Sequence, residues 1–186
     1  MNAKTSRCLL VAVSAAAMLA GCSKNNHSGL EPAGPLSAGK LSTLDRIKAL
    51  EGTWISGDED KDGQPDITCV YKVTSGGSAV AETLFPGQPH EMITMYHAHG
   101  DQVVMTHYCA MGNQPRLTAE GDCATGPIHF NFVDGTNIAR RDDAHMDSLI
   151  MTPGADGQSL VNDWSSWQDG KVTGHKVMNL QRKRSW

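Results

Sequence analysis

The sequence predicts an all-β fold of about ten short antiparallel strands with one short helix before them. Three observations carry this. From Gly52 onward, runs rich in Val, Ile, Thr, Met, Tyr and Trp recur at short, regular spacing. Clusters of Gly, Pro, Asn and Asp separate them, as turns require. No crossover helix interrupts the series, which disfavours a parallel sheet. The pattern fits an antiparallel barrel or a sandwich, with no internal repeat and no second domain.

The helix comes first. Leu44, Ile47 and Leu50 recur at helical spacing within Ser42–Leu50, Ser42 or Thr43 can cap it, and Asp45 suits its first turn. Gly52 ends it. So short an amphipathic helix must pack on, or plug, something larger. The strands follow at 53–56, 67–74, 78–85, 91–98, 102–109, 117–121, 126–133, 144–152, 159–167 and 171–180.

The stretch from Glu82 to Arg116 holds the densest set of chemically able side chains. Gly76-Gly77 and Gly100-Asp101 make tight turns, and a tight turn fixes the register of the strands it joins. Tyr71 then faces Glu82, Glu82 faces Thr94, and Thr94 faces His107. The row shares its face with Val73, Val80, Leu84, Met105 and Cys109, while Lys72 points to the other side. A one-residue slip would instead bring Ile93, Met95, His97, Val104 and Tyr108 inward. A carboxylate and an imidazole on an apolar face must be paired. The row is therefore either a structural polar network or a binding site. Tyr96 and Cys109 lie beside it, and Asn113-Gln114-Pro115-Arg116 reads as a shaped loop at the rim.

Three cysteines, Cys69, Cys109 and Cys123, lie in the strand-rich part and allow at most one bridge among themselves. No Cys or His spacing there suggests zinc. His145 lies near the Asn137 turn and is a further candidate for the mouth that Asn113 and Gln114 line. Asp58, Asp60 and Asp62, followed by Gly63, match the start of a calcium loop. Cys69 stands where the bidentate Glu of such a loop belongs, and strands flank it. An acidic solvated turn is the competing reading.

At the N-terminus, Lys4 and Arg7 precede an apolar run, Leu9–Ala20, too short to span a bilayer. Leu19-Ala20-Gly21-Cys22 resembles the bacterial lipobox. The resemblance implies a signal peptide over residues 1–21, cleavage before Cys22 and acylation of its thiol. Residues 22–40 are rich in Gly, Pro, Ser and Asn and read as a flexible tether to a domain over 41–186. Ser23 after the cysteine points to the outer membrane, facing the periplasm, rather than inner-membrane retention. Losing Lys4 and Arg7 but no acidic residue takes the formal charge from −4 to −6. That balance argues against nucleic acid as a partner.

Gly52-Thr53-Trp54, directly after a short helix and before a run of hairpins, resembles the first strand of the calycin group, the lipocalins and fatty-acid-binding proteins. That resemblance implies an up-and-down β-barrel and a basic residue of the last strand covering the Trp, with Arg182 and Arg184 as candidates. A longer resemblance, through E-T-L-F-x-G, E-M-x-T-x-Y, H-Y-C and G-N-Q-P-R in residues 82–116, is to a lipocalin-like group of bacterial proteins that brings no assigned function with it.

The first functional expectation is a small, amphipathic ligand held inside the barrel by Tyr71, Glu82, Thr94, Tyr96, His107, Cys109, Asn113, Gln114 and Arg116. An enzyme using Glu82 and His107 as an acid/base pair, with Cys109 as nucleophile, is a second reading. Haem bound through His107 is a third. An envelope lipoprotein with a purely structural role is a fourth.

Overall fold

The computed structural model describes residues 42–184. The helix α1 (Ser42–Lys48) precedes ten strands: β1 (Gly52–Ile55), β2 (Thr68–Thr74), β3 (Ala79–Leu84), β4 (Met92–His99), β5 (Gln102–Tyr108), β6 (Gln114–Ala119), β7 (Ile128–Thr136), β8 (His145–Pro153), β9 (Ser159–Gln168) and β10 (Lys171–Arg182). Every strand pairs antiparallel with its neighbours in sequence, and β1 closes on β10 through Trp54↔Arg182 and Ile55↔Gln181. The result is a closed up-and-down barrel, in which β10 meets β1 only at its last two positions.

The turns set the register the sequence predicts. Gly76 and Gly77 take φ of 63° and 90°, conformations that cost a side-chain-bearing residue, and Val73 then faces Val80. Gly100 at φ 63° joins His99 to Gln102. Alternation does the rest. Cys69, Tyr71, Val80, Leu84, Tyr96, Met105, Phe130, Leu149, Met151, Leu160, Met178 and Leu180 form one buried core. Lys72, on the other face, is exposed. Bulges between Met146 and Ser148 and between Val172 and Gly174 add the local twist that closure of a small barrel needs.

One end of the barrel is shut by α1. Leu44, Ile47 and Leu50 are buried there, on the stripe their spacing predicts. Thr43 lies inside the helix, so its hydroxyl does not serve as the cap. It accepts the amide of Cys123 at 2.6 Å, while Asp122 takes the Thr43 amide at 2.7 Å. One of the orphan N–H groups of the first turn is thus satisfied from the β6–β7 connection. Arg46 donates to the carbonyls of Cys123, at 3.1 Å, and Gly126, tying the plug to the same connection.

Below the plug, Trp54 is wholly buried and donates Nε1–H to the Leu50 carbonyl at 2.7 Å. Of the two arginines at the chain's end, Arg182 covers it, with Cζ 4.4 Å from the ring centroid. Its guanidinium also donates to the carbonyls of Glu51 at 2.6 Å, Ala49 at 2.8 Å and Gly157 at 3.0 Å. Gly52 permits this approach: it sits at φ 132°, and a Cβ there would come within 3.0 Å of the guanidinium. The fold is lipocalin-like in these respects.

Candidate functional site

Beyond Trp54 the barrel interior is divided into a packed polar layer and an open cleft. The polar layer is the predicted row. Tyr71 pairs with Glu82, Glu82 with Thr94 and Thr94 with His107. Glu82, Thr94 and His107 are only 1, 2 and 3% exposed, so their polar groups must be satisfied within the protein. Tyr71 donates its hydroxyl to Glu82 Oε1 at 3.0 Å, and the Cys69 thiol reaches the same oxygen at 3.3 Å. Tyr96 donates to Oε2 at 2.6 Å. An ionised carboxylate offers about four acceptor sites. Two phenols and a thiol supply three donors.

Burial pushes the Glu82 carboxyl up from its ordinary range, and the hydrogen bonds from Tyr96, Cys69 and Tyr71 pull it partly back. The Tyr71, Tyr96 and Cys69 groups rise well above their usual values, first through burial and then through the nearby Glu82 charge. Asn162 of β9 crosses the barrel to donate Nδ2–H to the Tyr71 oxygen at 3.1 Å. Its Oδ1 has no partner.

His107 links this layer to the cleft. Its Nδ1 lies 2.9 Å from Thr94 Oγ1, and its ring packs on Trp164, centroid to centroid 4.9 Å. Burial lowers its pKa to about 4, so the imidazole is neutral at neutral pH. With Nδ1 turned to Thr94, Nε2 lies on the far edge of the ring and has no hydrogen-bond partner among the described residues.

The cleft itself occupies the end of the barrel opposite α1. It holds about 320 Å³, at the low end for small-molecule sites. Leu84, Met92, Trp164 and Met178 come from the strands, and Phe85 and Met111 from the connections at that end. Met146 joins them because the β8 bulge reverses the alternation and puts it on the same face as Leu149 and Met151. His107 and Cys109 border the cleft, and Lys176 stands at its edge. The Cys109 thiol is free and half-buried, and burial raises its pKa. It is held as a thiol, a poor nucleophile at neutral pH.

Of the nine predicted ligand residues, His107 and Cys109 line this cleft. Tyr71, Glu82, Thr94 and Tyr96 lie behind it, bonded to one another. The rim loop requires correction. Gln114, Pro115 and Arg116 open β6, and the half-exposed Arg116 forms an ion pair with Asp134 of β7. Pro115 hid the strand, but it sits beside the bulge between Arg116 and Leu117, where a missing N–H is tolerated. Asn113 is buried and donates to the Ala144 carbonyl at 2.7 Å, next to His145. Gln114 accepts from Thr136 at 2.6 Å and Asn137 at 3.2 Å. No disulfide joins any two of Cys69, Cys109 and Cys123, since Cys69 and Cys109 are both free.

The residues the sequence did not single out are Met92, Met146, Trp164, Met178 and Asn162. The signal for Asn162 was available: it alternates with Leu160 and Trp164 on a buried face, as Glu82 does with Val80 and Leu84. The acidic turn lies beside a second, polar groove of about 450 Å³ that Phe85 shares with the cleft. There the carboxylates of Asp58, Asp60 and Asp66, not Asp62, converge. Asp58 accepts the amides of Asp62 at 3.1 Å and Gly63 at 3.0 Å, so this carboxylate is already engaged in shaping its own turn. The cysteine predicted to be acylated, Cys22, and the segments 1–21 and 22–40 lie outside the described residues.

No known family model matches the chain, and no curated protein matches it either.

Proposed function

We propose that the protein binds one small, mainly apolar molecule in the open end of its barrel while tethered to the bacterial envelope through Cys22. The observation that carries the binding reading is the cleft: a concave, apolar site with a single unengaged ring nitrogen, that of His107, at its inner wall. Thr94 and the Trp164 ring support it by holding His107 in one orientation. The size of the cleft suits a molecule of one or two rings and is small for a porphyrin. The lipobox resemblance at Leu19–Cys22 supports the tether.

Two experiments test the two halves. N-phenyl-1-naphthylamine, a neutral apolar fluorophore, should bind with one-to-one stoichiometry. Met146→Trp, which fills the cleft, should weaken that binding at least about tenfold, the equivalent of 1.4 kcal/mol. Binding that Met146→Trp leaves unchanged would place the probe elsewhere and remove the proposal. For the tether, Cys22→Ala should abolish incorporation of labelled fatty acid and leave the precursor uncleaved. Acylated, processed protein in that variant would refute it.

A further inference from the structure

We infer that the cleft holds one soft monovalent metal ion, copper(I), on the Cys109 thiolate, the Met92 thioether and Nε2 of His107. The inference goes beyond the binding of an apolar molecule and rests on donors for which that reading has no use. Four methionines, a free cysteine and a histidine line one cleft of about 320 Å³. Met92, Met111, Met146 and Met178 come from four separate segments of the chain, so no local repeat gathers them. Methionine also serves as a filler of irregular apolar space. Strand register separates the two roles.

His107 and Cys109 stand two residues apart at the end of β5 and both border the cleft, about 7 Å between Cα atoms. Ile93 pairs with Tyr108, so the next position outward sets Met92 opposite Cys109, at roughly 5 Å between Cβ atoms. An imidazole, a thiol and a thioether thus occupy neighbouring positions on two paired strands. The imidazole is oriented before any metal arrives. Nδ1 meets Thr94 Oγ1 at 2.9 Å and the ring packs on Trp164, which leaves Nε2 without a partner among the described residues. A metal on Nε2 itself puts the ring proton on Nδ1, where the Thr94 oxygen accepts it.

Charge selects the ion. Thiolate and thioether are soft donors and favour copper(I). One Cu–S bond forms to Cys109 as its thiol proton leaves to solvent, with no oxidation or reduction. The thioether and imidazole are neutral, so Cu⁺ with one thiolate makes an uncharged complex, which suits apolar walls. Among the described residues no carboxylate lines the cleft, and its one charged side chain, Lys176, is a cation. A divalent ion would retain a positive charge beside that ammonium in apolar surroundings, which is unfavourable.

The test titrates copper(I), kept anaerobic as its acetonitrile complex, into the full-length protein against the chromophoric chelator bicinchoninate. The protein carries Cys8→Ala and Cys22→Ala, so that neither N-terminal thiol competes. One equivalent should bind, and Cys109→Ser should weaken it by at least about a hundredfold, since a ligand matters no less than the groups that support it. Met92→Leu keeps the bulk and loses only the sulfur donor. It should weaken copper(I) by at least about tenfold and leave binding of N-phenyl-1-naphthylamine unchanged. X-ray absorption at the copper edge should show a shell of sulfur with one nitrogen, and His107→Phe should lose the nitrogen. Copper(I) held as tightly by Cys109→Ser or by Met92→Leu as by their parent would overturn the inference and leave the methionines as apolar packing. So would a copper shell without nitrogen. If no copper(I) binds, the inference falls, and retained binding of the naphthylamine probe shows that the cleft reading does not fall with it.

Discussion

Glu82→Ala is expected to lower the unfolding free energy by roughly 4 kcal/mol, among the largest losses any single substitution in this barrel should produce. The carboxylate is the only acceptor shared by the Tyr71 hydroxyl, the Tyr96 hydroxyl and the Cys69 thiol. Removing it strands at least two phenolic donors in a place water does not reach, at about 1–3 kcal/mol for each. It also opens a void between wholly buried rings, since Tyr71 and Tyr96 pack 6.5 Å apart and Tyr96 meets Phe130 at 5.8 Å. Guanidinium or urea unfolding of the variant measures the loss. The combined change Glu82→Leu, Tyr71→Phe and Tyr96→Phe separates the causes. With donors and acceptor removed together, most of the loss should be recovered, because an apolar layer of similar volume leaves nothing unsatisfied. A loss below about 1 kcal/mol in the single variant would mean that the hydroxyls find other partners, and that the layer is not organised on the carboxylate.

The row was legible in the sequence for a definite reason. All three of its cross-strand contacts are made by neighbours in the chain, and the glycine turns at Gly76-Gly77 and Gly100-Asp101 leave little freedom of register. Placing Glu82 beside Val80 and Leu84 was then enough to show that a carboxylate faced the core. The partners from across the barrel were not legible in the same way. Asn162 and Trp164 lie some eighty residues beyond Glu82, and their height relative to the row is set by closure of β1 on β10. That closure rests on only two paired positions, which leave no pattern of their own. The bulges are also silent in the sequence. Nothing about Asp147 marks it as an extra residue, yet its insertion is what turns Met146 inward. The misreading of Gln114–Arg116 as a loop has a related origin: a proline in a strand is tolerated beside a bulge, and the bulge was the missing information.

The structure also changes what the row means. An inward-facing Glu, Thr and His in a barrel suggests a polar lumen. Instead the polar groups spend their hydrogen-bonding capacity on one another, and the volume around them is filled by Trp54, Tyr71, Tyr96, Met105 and Phe130. The two readings of the row, network or site, divide it between them. Glu82, Tyr71 and Tyr96 form the network. His107 is the member that belongs to both, with one nitrogen committed to Thr94 and the other bordering the cleft. A scaffold of this kind suits binding, because the groups that orient His107 are locked by packing rather than by the ligand.

Acidification should reveal that double role. The pKa of His107 falls from an ordinary 6.5 to about 4 in the folded protein, through burial. A group whose folded pKa is depressed contributes stability that is fully present above its unfolded pKa. That contribution is lost as pH falls from 6.5 through about 4, because the unfolded chain takes up a proton that the folded chain resists. A shift of this size corresponds to about 3 kcal/mol at 1.36 kcal/mol per unit. Glu82 acts in the opposite sense. Its folded pKa is raised above 4.5, so its contribution is present below the ordinary carboxylate range and fades as pH rises. The two windows overlap, and the stability of the unaltered protein alone would mix them. The informative quantity is the difference between the unaltered protein and His107→Asn, which places a non-titrating amide, able to donate or accept, near where Nδ1 stands. Unfolding free energies measured from pH 7 to pH 4 should show that difference shrinking by about 3 kcal/mol in favour of the variant. A difference that stays flat across this range would mean that His107 takes up its proton in the folded barrel as readily as in the unfolded chain. The imidazole would then not be the neutral, buried group that both the Thr94 contact and the cleft require.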